Sequence, residues 1–356
     1  WYEPVEFTPA GLSSHRGHWS GQMPLLRRRL HAEGLSVAPA PAASTAHSAT
    51  ARVVWRFSDG KAGHDSQSQG LVDALQRRMD IDCYDIAVAK GATLDWLRQR
   101  FPAGELLPDP WLVIGAGHAT HLPLLAARRA RGGRALVLMT PDLPKHWFDL
   151  CVVPEHDRPS SQANVLTTRG SLNRMQPIHN RSAVQQHRRG LLMIGGPSRH
   201  YGWDHERVVE QLSAVIRYSP VRHWILTTSR RTPPGFAECV RDRLFNRNLK
   251  LTVYSWRDTP DPWLAQQLQR VCCTWVTEDS VSMVYEALTA AVPVGLLSVP
   301  ALRHDRIVKG VEALVASGNV MRFDDWSRGR PLPRPVEVFD EANRVAAHIA
   351  RRWGRS

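Results

Sequence analysis

The sequence predicts an α/β protein made of two Rossmann-like domains that face a cleft. From residue 51 onward, short apolar runs alternate with segments of helical spacing, a pattern typical of parallel sheets covered by helices. The polar and basic stretch 173–188 interrupts this alternation, so we expect the boundary between the domains there. A chain of 356 residues is long enough for two such domains.

The domain boundaries follow from changes in composition along the chain. Residues 1–50 lack periodicity and include a run rich in alanine and proline, so we expect a poorly ordered extension. The two domains then span 51–180 and 181–330. Several prolines break the chain after residue 330. The remainder, 331–356, is predicted to be a helical segment that could cross back to the first domain.

The elements of the first domain are apolar runs bounded by turn residues, each followed by a segment with helical periodicity. The predicted strands are 53–57, 83–89, 111–115, 135–140, 150–153 and 165–168, and the predicted helices are 66–78, 94–100 and 119–131.

The second domain repeats this alternation. Its predicted strands are 191–194, 224–227, 251–254, 272–276 and 293–299. Its predicted helices are 204–218, 235–245, 262–270, one that reaches 288, and 304–317, followed by a basic helix at 336–353. Because the carboxyl ends of parallel strands form the ligand-binding edge of such sheets, we expect the cleft between the two domains to hold the site.

The charge of the chain narrows the classes of partner. The formal net charge is +13 and the isoelectric point is about 10.2, so the surface attracts polyanions. No zinc finger, basic zipper or RNP pattern accompanies the arginine clusters, which makes nucleic acid an unlikely partner and favours phosphorylated sugars or anionic lipid. The five cysteines lack CxxC spacing and the sixteen histidines lack an HExxH pattern, so we expect no metal site and no disulfide framework.

The most informative segment is the turn between the predicted strand 272–276 and the helix after it. Ser280 and Ser282 lie where the helix begins, and a helix N-terminus binds phosphate through free N–H groups and a partial positive charge. Glu286 lies further along the helix, where its carboxylate could accept from the hydroxyls of a ribose. The segment predicts a nucleoside diphosphate site; a plain N-cap with a surface glutamate is the alternative.

Two further loops of the second domain follow predicted strands and carry polar or basic residues. The first could bind a diphosphate through backbone N–H groups, a serine hydroxyl and a guanidinium; its residues are Gly195, Gly196, Ser198 and Arg199. The second contributes Arg230 and Arg231, which could bind pyrophosphate in place of a metal. For both loops the alternative is a turn with solvated side chains.

Four residues of the first domain are candidates for a general base. Asp59 and His64 share a glycine-bearing loop after the first strand, and both are capable of acid–base work. His118 and Asp142 follow two other strands at the same edge of the predicted sheet. Strand-end residues of this kind often only tie loops together, so each of the four keeps that alternative.

Four segments together resemble one protein family: DGKAGHDSQS at 59–68, GGPSRHY at 195–201, TSRRTP at 228–233 and TEDSVSM at 277–283. The family contains the plant mitochondrial fission factor known for elongated mitochondria and bacterial outer-core lipooligosaccharide glycosyltransferases. The resemblance covers roughly residues 52–325, and the family is similar to GT-B glycosyltransferases.

This resemblance implies a GT-B fold, with Gly63 and His64 near the acceptor. It also implies roles for the second domain, with diphosphate at Gly195, Gly196 and Ser198 and ribose at Glu286. Pro197 departs from the family pattern, because proline removes one N–H from the diphosphate loop.

The expected function is transfer of a sugar from a nucleotide-sugar to a lipid-linked or lipopolysaccharide-type acceptor, without a metal and with no cofactor besides the donor. Domain 51–180 would then bind the acceptor and domain 181–330 the nucleotide-sugar. The alternatives are a non-catalytic scaffold of GT-B fold on a membrane surface and a sugar-nucleotide epimerase.

The sequence also suggests contact with an anionic membrane. The apolar segment 122–127 runs into the basic segment 128–131, and basic residues next to an anionic surface favour reversible binding. We therefore expect a cytoplasmic protein, peripheral at the inner face of the membrane. An internal helix whose leucines pack on the sheet is the alternative.

Overall fold

Two parallel sheets form the framework of the described part of the chain, and each has six strands. The computed structural model describes residues 51–88, 100–178, 188–244, 250–335 and 338–354. The predicted extension at 1–50 and most of the predicted helix at 94–100 lie outside these ranges. The predicted α/β class with two parallel sheets is confirmed.

The first sheet lies in the N-terminal part of the chain, and its elements match the predicted order. They are β1 Arg52–Ser58, α1 Ala62–Gln76, β2 Ile81–Ala87, β3 Leu112–Ala116, α2 His121–Arg131, β4 Arg134–Leu138, β5 Leu150–Pro154 and β6 Val165–Thr168. The strands are parallel and run in the order β2-β1-β3-β4-β5-β6.

The second sheet has the order β12-β11-β10-β7-β8-β9, again with parallel neighbours. Its elements are β7 Arg189–Met193, α3 His205–Tyr218, β8 His223–Thr227, α4 Phe236–Leu244, β9 Lys250–Tyr254, α5 Trp263–Leu268, β10 Cys273–Thr277, α6 Val281–Thr289, β11 Val294–Leu297, α7 Arg306–Ala316, β12 Met321–Arg322 and α8 Phe323–Ser327. The sequence pattern misses β12 and α8, because both are too short to show periodicity.

Hydrophobic residues cover both faces of each sheet. One cluster of the first sheet joins β1 and α1, through Val54 and Leu71, to the last helix, α9 Glu341–Trp353. The other face packs against α2. Two further clusters cover the second sheet in the same way. The α9 helix thus completes the core of the first sheet, on the same face as α1.

Helix α1 begins at Ala62, four residues before the predicted start at residue 66. Lys61 is extended, and its carbonyl accepts from the N–H groups of His64 at 2.9 Å and Asp65 at 3.0 Å, which closes the first turn. The predicted glycine-rich loop is therefore shorter than expected, and His64 lies on the helix.

The apolar segment expected to touch a membrane is part of α2 and lies in the core. Leu124, Leu125, Ala126 and Ala127 are at most 5% exposed. Arg128 donates to Asp149 at 3.0 Å and Arg131 donates to Asp109 at 2.6 Å. This corrects the membrane prediction for this segment, since its leucines pack on the sheet. Among the described residues, no helix is long and apolar enough to span a membrane.

Each sheet has a point where the strand order reverses. From β1 the chain adds β2 on one side and β3 on the other, and from β7 it adds β8 on one side and β10 on the other. Ligands of such sheets bind beyond the carboxyl ends of the strands that flank the reversal. The loops after β1, β3, β7 and β10 are therefore the places to look for a site.

Candidate functional site

The loops after β7 and β10 are joined at the reversal point of the second sheet. The backbone N–H of Gly195 donates to Thr277 Oγ1 at 2.8 Å, and that of Gly196 donates to Asp279 Oδ2 at 2.9 Å. A Cβ on Gly195 would lie 2.1 Å from Asp279 Oδ2, so glycine is required for this close approach. The two loops therefore form one rigid unit.

This arrangement corrects the role predicted for the glycine loop. The N–H groups of Gly195 and Gly196 already bind side chains of the β10 end and are not free for a diphosphate. Ser198 Oγ accepts from the N–H groups of His200 at 3.2 Å and Tyr201 at 3.1 Å. The exposed Arg199 donates to His200 Nε2 at 2.8 Å. All four residues lie outside the lining of the cavity described next.

A cavity of about 510 Å³ lies between the two sheets and their helices. From the second-sheet side it is lined by five of the predicted site residues: Arg230, Arg231, Ser280, Ser282 and Glu286. From the first-sheet side the start of α1 contributes Ala62, Gly63, Ser66 and Gln67. The cavity therefore brings together the reversal region of the second sheet and the first turn of α1.

The N-terminus of α6 opens onto this cavity. Ser280 is the N-cap residue, and its side chain forms no capping hydrogen bond. Ser280 is buried and Ser282 is exposed, and both line the cavity. Uncapped N–H groups and the helix dipole make this end of α6 favourable for an anion, and the two hydroxyls add donors.

Glu286 lies on the same helix and is partly buried at the cavity wall. Its carboxylate forms no hydrogen bond or ion pair with any residue that the structure describes. Burial alone raises the pKa of Glu286 from 4.5 to about 7. A buried acceptor without a donor is unfavourable, so a ligand that donates hydroxyl groups here would satisfy it.

The two adjacent arginines differ in their contacts. Arg231 Nη2 forms an ion pair with the buried Asp279 at 2.8 Å, and Nη1 donates to the Gly196 carbonyl at 2.8 Å. Burial raises the pKa of Asp279, and the bonds from Gly196 and Arg231 offset part of this rise. Arg230 is exposed, and its guanidinium lies 5.5 Å from the ring centre of Trp256. Arg231 therefore holds the loops, whereas Arg230 is free to turn towards an anion.

Sequence reasoning missed several residues that line the cavity. They are Trp256, Trp263, Tyr285, Asn173 and Gln67. Trp256 follows β9 directly and so lies at the edge of the sheet where the site was expected. Its position after a predicted strand was a usable signal. The contribution of Asn173 depends on the path of the chain between the sheets, which the sequence does not reveal.

Asp59 and His64 form a pair at the reversal point of the first sheet. His64 Nδ1 lies 2.9 Å from Asp59 Oδ2, and the Asp59 side chain is 4% exposed. Burial pushes the pKa of Asp59 up, but the bonds from His64 and Lys61 outweigh it and hold the pKa below its usual value. The ionised carboxylate orients the imidazole through Nδ1, which leaves Nε2 as a possible proton acceptor.

Glycine at position 117 allows the imidazole to lie where it does. Gly117 has φ +84°, and a Cβ there would lie 2.3 Å from His64 Cε1. His64 itself does not line the cavity, but its neighbour Gly63 does. The pair is therefore next to the cavity.

His118 and Asp142 are placed less favourably for a shared role. Both are exposed, and neither forms a hydrogen bond or ion pair with a described residue. They act electrostatically on the buried His121, whose pKa is lowered by burial, raised by Asp142 and lowered by His118. Neither residue lines the cavity. The described residues contain no group of three or more potential metal ligands.

Comparison with solved structures identifies the fold. A Listeria monocytogenes protein named as a UDP-N-acetylglucosamine 2-epimerase superposes with a TM-score of 0.54 and 14% identity, over 86% of this chain and 98% of that one. UDP-GlcNAc 2-epimerase of Methanocaldococcus jannaschii gives a TM-score of 0.52 and 11% identity, over 84% and 99%. The expected GT-B fold, two Rossmann-like units beside a cleft, is confirmed.

Comparison of the sequence identifies the family. No curated protein matches the chain. Residues 62–353 match the family described as mitochondrial fission ELM1. This range includes nearly all of the residues for which the structure is given. The match contains each of the four segments on which the resemblance rests, apart from the first residues of 59–68. The chain therefore belongs to the mitochondrial fission ELM1 family.

Proposed function

We propose that the cavity between the two units binds a nucleotide-sugar and that the protein transfers the sugar to an acceptor. The observation that supports this most is the arrangement on α6. One helix presents an uncapped N-terminus and, further along, the unpartnered carboxylate of Glu286 to the same cavity. A nucleoside diphosphate needs this combination of an anion site and a hydroxyl acceptor.

Each part of the ligand has a partner on the cavity wall. The diphosphate would bind at Ser280 and Ser282, with Arg230 as the nearby cation, and the ribose hydroxyls would donate to Glu286. The ring of Trp256 offers a stacking surface for the base. The two epimerases compared above act on a UDP-sugar by name, which supports a uridine nucleotide as the first ligand to test.

The chemical step follows from the charges. The acceptor oxygen forms a bond to the anomeric carbon while the bond from that carbon to the diphosphate oxygen breaks. The leaving nucleoside diphosphate takes the electron pair, and the helix N-terminus with Arg230 stabilises its growing charge. His64 Nε2 takes the acceptor proton, with Asp59 stabilising the imidazolium that results.

Calorimetry with UDP on the Glu286→Gln variant tests the binding site. We expect the Kd for UDP to rise about tenfold or more, because a hydrogen bond to a charged group contributes about 1.5–3 kcal/mol. Glu312→Gln is the matched control, since Glu312 is exposed on α7 and outside the cavity. An unchanged Kd for Glu286→Gln would contradict the ribose assignment.

Product analysis separates transfer from the two other activities considered for this fold. A transferase releases UDP from a UDP-sugar at a rate that depends on the acceptor. An epimerase converts the sugar at carbon 2 without any acceptor, and a scaffold does neither. A lipid-linked or lipopolysaccharide-type acceptor and attachment to an anionic membrane stay predictions, which rest on the net charge of +13 and the family.

A further inference from the structure

A second cavity of about 670 Å³ lies next to the first. Its walls include the short 3₁₀ segment Glu155–Asp157 after β5, α7, and Phe339 just before α9. Tyr285 lines both cavities. A molecule in the second cavity would therefore border the proposed nucleotide site.

Tyr285 is held in place at the border of the two cavities. Its side chain is buried, and its hydroxyl donates to the Arg169 carbonyl at 3.4 Å. A Cβ at Gly170 would lie 2.1 Å from Tyr285 Cε1, so the ring packs directly on the glycine backbone. The two cavities are consequently neighbours that share one aromatic ring in their linings.

The charge of the second cavity is positive. Its lining includes four cationic side chains, those of Arg158, Arg169, Arg306 and Lys309, against the carboxylates of Glu155 and Asp157. Arg306 pairs with Asp157 at 2.8 Å, and Arg169 pairs with Glu341 at 3.3 Å. The side chains of Arg158 and Lys309 form no hydrogen bond or ion pair with the described residues. These two cations remain available to an anionic ligand.

The side chains of α7 that face the cavity change from cationic to apolar along the helix. This change would orient a ligand that has one anionic and one apolar end. One face of this helix lines the cavity through Arg306, Lys309, Gly310, Ala313 and Leu314, and the C-cap residue Ser317 continues it. These residues recur at three- and four-residue spacing, so they share one stripe. Arg306 and Lys309 lie in the N-terminal half of the helix, whose first N–H groups are capped by the carboxylate of Asp305. The following turn is apolar.

The apolar end of the cavity is closed by aromatic side chains. Phe339 and Tyr285 lie 6.4 Å apart between ring centres, and the guanidinium of Arg169 lies 4.5 Å from the Phe339 ring. Because Glu341 neutralises Arg169, this end carries little free charge. The cavity thus has a cationic end with free partners and an apolar end.

We propose that this second cavity binds the acceptor, and that the acceptor is an amphiphile with a phosphate group. Its phosphate lies between Arg158 and Lys309, and its apolar part lies against Leu314 and Phe339. The word acceptor rests on the proposed sugar transfer, whereas binding of a phosphorylated amphiphile does not.

Calorimetry with three small probes tests the recognition chemistry. Octyl phosphate below its micelle concentration carries both the anion and the apolar chain, inorganic phosphate carries the anion alone, and octanol carries the chain alone. We expect octyl phosphate to bind at least tenfold more tightly than either of the others. Equal binding of inorganic phosphate would point to a soluble anion site, and equal binding of octanol to an apolar pocket; each overturns the proposal.

Variants locate the binding within the cavity. Arg158→Asn combined with Lys309→Gln should weaken octyl phosphate binding about tenfold or more, and asparagine tolerates the left-handed backbone of residue 158, at φ 50°. Ala313→Phe fills the apolar half from an exposed position and should weaken binding similarly. The matched controls are Arg270→Gln and Ala316→Phe, both exposed and outside the cavity.

Parallel titrations with UDP keep the two proposals distinguishable. The variants of the second cavity should bind UDP as the unchanged protein does, because none of their residues lines the nucleotide cavity. Octyl phosphate binding that is equal in all variants, or absent from the unchanged protein, overturns the acceptor site. If the unchanged protein binds octyl phosphate but not UDP, the nucleotide proposal is overturned and the amphiphile site stands.

Discussion

Arg231 and Asp279 join two loops that follow different strands of the second sheet. Arg231 Nη2 lies 2.8 Å from Asp279 Oδ2, and the Asp279 side chain is fully buried. Asp279 in turn accepts from the N–H of Gly196, so one carboxylate connects the loops after β7, β8 and β10. The wall of the proposed nucleotide site therefore depends on a single buried charge.

Arg231→Ala should destabilise the protein by about 2 kcal/mol, because it leaves the buried charge of Asp279 without its cation. This is below the roughly 3–5 kcal/mol expected for a fully buried pair, since Arg231 is partly exposed. Chemical denaturation measures the change. Arg230→Ala is the matched control and should cost less than about 1 kcal/mol, because Arg230 is exposed beside Trp256. Equal losses would contradict a special role for the Arg231–Asp279 pair.

The pH dependence of the same variant has a definite sign. The pKa of Asp279 is already raised by burial, and removing Arg231 raises it further. The folded state then binds the proton more tightly than the unfolded state, so stability falls as pH rises through the folded pKa. The deficit of Arg231→Ala should therefore shrink when the pH is lowered from 7 to 5. A deficit that grows on acidification would show that Asp279 is not the group responsible.

Glu286→Gln should stabilise the free protein at alkaline pH. The pKa of Glu286 is raised by burial from 4.5 to about 7, so ionisation lowers the stability of the unchanged protein by up to about 3 kcal/mol as pH rises past 7. Thermal melts at pH 8.5 should favour the glutamine variant, and melts at pH 4.5 should show little difference. Glu312→Gln, at an exposed position, should not differ from the unchanged protein at either pH.

Nucleotide binding should release protons if ribose hydroxyls donate to Glu286, because they stabilise the ionised carboxylate and lower its pKa. Titration of UDP at pH 6.5 in two buffers of different ionisation enthalpy measures the number released. We expect up to about one proton with the unchanged protein and a smaller number with Glu286→Gln. Proton uptake would contradict the ribose contact.

Gly117→Ala should strongly reduce transferase activity while UDP binding is retained. The new methyl group would lie 2.3 Å from His64 Cε1 and displace the imidazole. General bases typically contribute about 10²–10⁴-fold, so turnover should fall within that range. Gly132→Ala is the matched control, since Gly132 has a similar φ of +80° but nothing within 4 Å of the added Cβ. Comparable activity in both variants would exclude His64 as the base.

Trp256→Ala should weaken UDP binding through loss of base stacking, by about tenfold for a contact of about 1–3 kcal/mol. Ribose 5-phosphate lacks a base and serves as the matched ligand, so its affinity should not change. Competition binding measures both. A similar loss for both ligands would show that Trp256 supports the cavity wall and does not stack on the base.

The order of strands and helices was predictable because each sheet is parallel and buried on both faces. Strands such as β3 and β4 are then continuous apolar runs, which stand out between polar turns. The polar turn residues did not predict where each helix begins. The helical start at Ala62 depends on the extended backbone of Lys61, which no periodicity reveals. Boundaries set by single carbonyl groups are therefore the places where sequence patterns fail.

The candidate site was predicted only where its residues lie close together in the sequence. Ser280, Ser282 and Glu286 belong to one helix, and their spacing shows that they are near one another. Gly195 and Gly196 were expected to bind phosphate because glycine-rich loops often do, but their N–H groups bind Thr277 and Asp279. Local spacing in the sequence cannot predict contacts between residues more than eighty positions apart. The second cavity depends on such contacts as well, which explains why it was missed.

The position of α9 affects how the chain acquires its structure during synthesis. Ile349 and Trp353 share a core with Val54 and Leu71, although the strands of the first sheet end at Thr168. Part of one apolar face of the first sheet, beside α1, therefore stays uncovered during synthesis until the second sheet and α9 have been made. A premature stop before α9 would therefore leave unfinished the core of the sheet that was made first.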